Sequence, residues 1–138
     1  HFPLDCVDNA DKSCQSLHVK ARPEAIASEC AAAQGGNEAF WKFIDRIFEI
    51  TPSNDRLDQT ELGKTAGKLG LDTKKFNECA SGTTYADAVS SDAKEGLTLG
   101  ITGTPTTYII DKAGNTYVLN GAYPYEIVEA LMQKLLAQ

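Results

Sequence analysis

The sequence predicts an α/β chain in which a bundle of helices precedes a β-hairpin and one closing helix, with a sheet too small to stand alone. Three observations predict it. Apolar residues recur at helical spacing in five successive segments between residues 23 and 100. The period then changes to alternation in "TTYIID" and "TYVLNG", two runs rich in β-branched and aromatic residues around the turn "KAGN". Behind Pro124, "YEIVEALMQKLLA" returns to the helical period.

Residues 1–22 are polar after Leu4, carry Cys6 and Cys14 and show neither period; they read as a loop, with "HFPL" as the last residues of a strand. Pro23 at a first-turn position and Glu24 near the positive end of the dipole open the first helix, which Gly35 and Gly36 stop. Ile26 and Cys30 share one of its faces. Asn37 caps the second helix, "EAFWKFIDRIFEI", where Phe40, Ile44, Ile47 and Phe48 form the core-facing set. Asp58 and Glu61 stand in the capping-box relation at the head of the third, which runs through Leu62, Ala66 and Leu69 to Gly70. Asp72 caps a short fourth helix carrying Phe76 and Cys79, and Gly82 ends it. Thr83 or Thr84 opens the fifth, which holds Ala86, Val89, Ala93 and Leu97 and stops near Gly100. In the closing helix Ile127, Val128, Leu131 and Leu135 make the buried stripe.

The hairpin lacks neighbours. Tyr108 and Ile110 point to one face and Thr107 and Ile109 to the other, so its first strand is apolar on both sides, as a central strand is. Two strands alone are marginal in water. Part of the sheet is therefore expected outside this sequence or on another chain; the alternative is that the helices cover both faces of a small sheet.

Composition narrows the function. With 138 residues, 42% of them hydrophobic, the chain can bury the core of one domain. A net charge of −6 offers no electrostatic footprint for nucleic acid or an anionic membrane surface. No apolar run approaches the ~20 residues that span a bilayer, and no basic-then-apolar leader opens the chain, so a soluble segment without membrane contact is expected. Opening on His1, it reads as a processed or truncated product. His1 and His18 read as exposed loop residues without a partner carboxylate at a telling spacing, Trp41 as a core or subdomain-interface aromatic, and Tyr123 and Tyr125 as surface packing around Pro124. No phosphate loop or nucleophile–base signature is present.

The segments "HFPLD", "AIASECAAAQG", "FWKFIDRIF", "GITGTPTTYII" and "AGNTYVLNGAYPYEIVEALMQKL", in that order, resemble the DsbA-like thiol-disulfide oxidoreductases over nearly the whole chain. The resemblance implies a thioredoxin-like fold of the DsbA type, with a helical subdomain inserted at 23–100 and the ββα part at 101–138, as one N-terminally incomplete domain. It places Thr104 and Pro105 in the loop whose proline is cis and lies against the redox-active cysteines. An X-Pro bond is the only peptide for which cis costs little, about 0.5–1 kcal/mol, and proline's missing N–H leaves neighbouring backbone free to pair with an extended client. On the residues alone, a trans proline opening a strand is an equal reading. The family's chemistry needs Cys-x-x-Cys at a helix N-terminus. This sequence contains none, and in the family the motif lies upstream of the segment that "HFPLD" matches.

Cys6, Cys14, Cys30 and Cys79 allow three connectivities. Some members of the family bridge two helices of the insertion at positions similar to Cys30 and Cys79; the preferred structural disulfides are Cys30–Cys79 and Cys6–Cys14, with free buried thiols the alternative for the former pair. The spacings are too wide and irregular for a zinc site, and neither metal nor cofactor is expected. Cys6 and Cys14 lie in a loop with no helix N-terminus to lower a thiol pKa, which favours a staple over a redox pair.

Function follows as expectation. The parent protein is a protein thiol-disulfide oxidoreductase acting on client polypeptides, with a possible redox partner protein, and its oxidase, reductase or isomerase character is undetermined; this chain alone is inactive. The alternative is a non-catalytic peptide- or protein-binding module, or a fragment that self-associates by completing its sheet. Bridged cysteines imply an extracytoplasmic location: periplasmic, secreted or anchored on the outer side of a membrane.

Overall fold

The computed structural model describes residues 1–10 and 13–137. The chain divides into two compact units, His1–Gly96 and Leu97–Gln138.

The first unit is helical. α1 (Ala21–Ile50) spans 30 residues and comprises the first two predicted helices, joined across a kink. Gly36, at φ 66° and ψ −163°, is non-helical and separates the two where the glycines are expected to stop the first; the residue with the non-helical torsions at the junction is Gly36 and not Asn37. Those dihedrals belong to a region that residues with a Cβ essentially never enter. Beyond the kink, Ala39, Phe43 and Ile47 are the buried row, while Phe40 and Ile44 are half-buried and Phe48 is 77% exposed. Of the expected set, Ile47 is thus buried as expected, and Ala39 and Phe43 complete the buried row in place of the row of Phe40, Ile44 and Phe48. Both rows have four-residue spacing, so periodicity alone could not choose between them.

α2 (Thr60–Lys68) starts one turn after a bend in which the Asp58 carboxylate accepts the Thr60 N–H at 2.9 Å. The expected capping box does not form, because the Glu61 carboxylate accepts a hydrogen bond from Lys64 at 2.6 Å. α3 (Thr73–Ala80) is capped by Asp72, whose carboxylate accepts the N–H groups of Lys74 and Lys75 at 3.0 and 3.1 Å. α4 (Ala86–Thr98) follows a turn in which the Ala86 N–H donates to the Thr83 carbonyl. One apolar cluster joins α1 to α4, built from Ile26, Ala27, Cys30, Phe43, Leu62, Phe76 and Val89 among others. At its centre the Phe43 and Phe76 rings sit 5.4 Å apart, tilted by 44°. Each such fully buried side chain contributes about 1.5–3 kcal/mol by removal from water.

"HFPL" is not a strand. Among the described residues no strand pairs with it, and the Leu4 carbonyl instead accepts the N–H groups of Leu17 and His18 at 2.9 and 3.1 Å.

The second unit holds an antiparallel two-stranded sheet, β1 (Thr106–Ile110) with β2 (Thr116–Asn120), in the register Tyr108↔Val118. Asp111 shapes the turn, its carboxylate accepting from the N–H groups of Ala113 and Asn115 and from the Asn115 amide. α5 (Tyr125–Leu136) begins behind Pro124. Among the described residues of this unit none is buried. The expected stripe on α5 is corrected accordingly: Ile127 is 53% exposed, and Val128, Leu131 and Leu135 are half-buried. Two strands present too little apolar surface to cover a helix face.

Candidate functional site

The loop between α4 and β1 is built from small constraints. Gly100, at φ 78°, turns the chain out of α4, and its N–H donates to the Leu97 carbonyl at 3.0 Å. This is the left-handed helix exit that glycine makes without a steric penalty. The Tyr108 hydroxyl donates to the Leu99 carbonyl at 3.0 Å, and the Thr106 hydroxyl to the Gly103 carbonyl at 2.9 Å. Gly121, just past β2, donates its N–H to the Pro105 carbonyl at 2.9 Å. The Thr104–Pro105 peptide is cis, and both residues are exposed. Their backbone therefore stands at the head of β1, whose other edge is unpaired among the described residues. Chemically, such a loop can offer main-chain hydrogen bonds to an extended peptide.

The cysteines belong to the other unit. Cys6 is bonded to Cys14 and Cys30 to Cys79, each pair with Cα atoms 5.9 Å apart, and no described cysteine is free. Cys30–Cys79 ties α1 to α3 inside the core cluster. Cys6–Cys14 closes a loop outside any helix, and Cys6 has φ 63°. Among the described residues no group of three or more His, Cys, Asp or Glu is placed to hold a metal ion, and no helix is long and apolar enough to cross a membrane.

Beside that loop stands a charge cluster that no motif announces. The Arg22 guanidinium grips Asp5 through two hydrogen bonds, at 2.6 and 3.1 Å, and reaches Asp8 at 2.6 Å and the Ser90 hydroxyl at 3.0 Å. Burial pushes the Asp5 carboxyl up, but the hydrogen bonds from Arg22 and the Val7 N–H, with the charge of Arg22, outweigh it and hold the group below the ordinary carboxylate range. The same bonds with Asp5 raise Arg22 further. In Glu24 the balance is reversed: burial dominates and lifts the carboxyl, although the Gln59 amide donates to it at 3.1 Å.

Two expectations about single residues are corrected. The side chain of His1 is only 17% exposed, its Nε2 lying 2.8 Å from a Glu29 carboxylate oxygen and its ring 5.9 Å from that of Phe40. A partner 28 residues away leaves no spacing signal. Trp41, expected in a core or subdomain interface, is 60% exposed and meets Phe40 edge-on at 5.2 Å. His18 is half-buried, its Nδ1 lying 3.5 Å from Asp55.

A helical bundle inserted ahead of a hairpin and closing helix, with a Thr-Pro loop leading the hairpin, defines a thioredoxin-like fold of the DsbA type. The profile described as "DSBA-like thioredoxin domain" matches residues 16–133, and the chain belongs to that family. It is 26% identical to Disulfide bond formation protein D of Bacillus subtilis over 142 residues, covering 96% of this chain and 60% of that protein. To Na(+)/H(+) antiporter NhaA 3 of Salinispora tropica it is 28% identical over 121 residues, which is 88% of this chain and 17% of that protein. The crystal structure of Pseudomonas aeruginosa DsbA2 superposes with a TM-score of 0.65 at 30% identity, over 85% of this chain and 64% of that one. The chain thus spans less than two thirds of each of these relatives.

Proposed function

We propose that this chain is the greater part of a protein thiol-disulfide oxidoreductase, acting on client polypeptides by disulfide exchange. Thr104 and Pro105 form the surface that receives the client, beside a cysteine pair that this sequence does not contain. The observation that carries the reading is the family match over residues 16–133, which includes the exposed Thr104–Pro105 loop. Exchange requires an attacking thiolate, activated at a helix N-terminus or by a neighbouring cation. All four cysteines here are in disulfides and none belongs to a Cys-x-x-Cys, so the 138-residue chain alone turns over no client. Two disulfides suit an extracytoplasmic, oxidising compartment. The test is insulin reduction and reduced-ribonuclease oxidation by the chain alone and by the chain extended N-terminally with a strand and a Cys-x-x-Cys helix. Turnover only in the extended protein supports the reading; equal turnover by the chain alone overturns it.

A second reading, a non-catalytic module that binds an extended peptide or a second copy along β1, is favoured by the absence of any buried residue among those described in the second unit. Sedimentation velocity separates its forms: a monomer at all concentrations excludes strand exchange between copies.

A further inference from the structure

The two disulfides occupy different surroundings. Cys30 is 1% exposed, and both Cys30 and Cys79 lie within regular helices and pack into the core cluster. Cys6 and Cys14 are half-buried, as Cys79 is, but both lie outside any helix, and neither has a fully buried partner like Cys30. Cys6 also holds a left-handed backbone, φ 63°, a conformation costly for a residue with a Cβ. Its sequence neighbours Asp5 and Asp8 are the anchors of the Arg22 cluster: their side chains are 6% and 8% exposed, and Arg22 continues to Ser90 on α4.

We propose that Cys6–Cys14 is a redox latch: a dithiol able to close into a disulfide opens it in preference to Cys30–Cys79, and its opening loosens the Asp5 and Asp8 grip on Arg22. In the first step a donor thiolate attacks one sulfur of the pair, forming a mixed disulfide and displacing the other cysteine as a thiolate, which takes up a proton. The donor's second thiol then attacks its own sulfur in the mixed disulfide. The donor leaves as a disulfide and both cysteines end as thiols, two electrons and two protons having moved from the donor. In this exchange the pair is the electrophile, and the attacking thiolate is the donor's. The latch is independent of the role given to Thr104 and Pro105, and its failure leaves that role standing.

The experiment uses the intact chain and reduced dithiothreitol. Aliquots are quenched with a thiol-alkylating reagent and mapped by peptide mass spectrometry, and amide hydrogen exchange is followed on the oxidised chain and on the partly reduced one. Cys6 and Cys14 are expected to become alkylated together, at a rate exceeding that of Cys30 and Cys79 by roughly tenfold or more, because the core pair must wait for a larger opening of the fold. Exchange at Val7, Leu17 and His18, whose N–H groups donate to Asp5 and Leu4, is expected to accelerate in the same samples. The Cys6→Ser/Cys14→Ser variant should reproduce that acceleration without reductant. Simultaneous labelling of all four cysteines, labelling of Cys30 and Cys79 first, or unchanged exchange at those three amides each overturns the latch.

Discussion

Replacing Arg22 with methionine keeps most of the side-chain volume and removes the charge that Asp5 and Asp8 share. Their carboxylates are only 6% and 8% exposed, so water cannot fully replace the lost guanidinium. Orphaning a buried charge costs about 3–5 kcal/mol, against roughly 0–1 kcal/mol for an exposed pair. Asp8 retains Lys94 at 3.7 Å, which moderates the loss. Arg22→Met is therefore expected to lower the unfolding free energy by about 2–4 kcal/mol at pH 7. The pH dependence gives a sharper test. Asp5 has a lowered pKa in the folded chain, so its contribution is present above the unfolded carboxylate value, about 3.9, and is lost as pH falls through the lower folded value. Without Arg22, only backbone N–H groups, that of Val7 foremost, oppose burial at Asp5, so its folded pKa rises relative to the wild type and the variant should lose less stability than the wild type on acidification. Glu24, held up by burial, contributes the same sign in both chains and cancels in the difference. Urea unfolding at a series of pH values measures both effects, and Asp5→Asn/Arg22→Met should recover part of the loss. A loss under about 0.5 kcal/mol, or parallel pH profiles for the two chains, would refute the reasoning.

Removing the core disulfide by Cys30→Ser/Cys79→Ser frees a closure of sequence separation 49, worth about 4 kcal/mol in the chain-entropy model, and should move the urea midpoint of the first unit more than any single cap change does. Phe43→Ala deletes a side chain of 0% exposure beside Phe76 and should cost about 3–5 kcal/mol, read as a thermal midpoint lowered without change in far-ultraviolet helix signal at low temperature. Asp72→Ala leaves the Lys74 and Lys75 N–H groups without their acceptor and should cost about 1 kcal/mol by urea unfolding, with Asp72→Asn retaining most of it.

Local chemistry made much of this fold legible. Asp72 stands where a cap is needed and caps α3, the change of period at residue 106 marks the hairpin, and "GTP" between helix and hairpin points to the family. What stayed hidden depends on three-dimensional choice. Rows 39/43/47 and 40/44/48 are equivalent on a helix until something packs against one of them. Gly35 and Gly36 carry a breaker's signature and the helix does break there; what the pattern leaves open is only which residue takes the non-helical torsions, and it is Gly36. Arg22 meets Asp5 and Asp8 across 17 and 14 positions, and His1 meets Glu29 across 28; these separations have no period to betray them. The pattern of α5 predicts a buried stripe because helices of that pattern ordinarily have a full sheet to lie on, and among the described residues the sheet has two strands.

The kink residue of α1 has an evolutionary corollary. A Cβ built on Gly36 would have nothing within 4 Å, so by crowding alone the position could accept any side chain. Its torsions nonetheless exclude every L-amino acid that a single base change in a glycine codon can supply. Purifying selection should thus hold this solvent-facing site constant through the handedness of the residue alone, and an invariant glycine there among homologues would report on the bend of a helix and not on a binding surface.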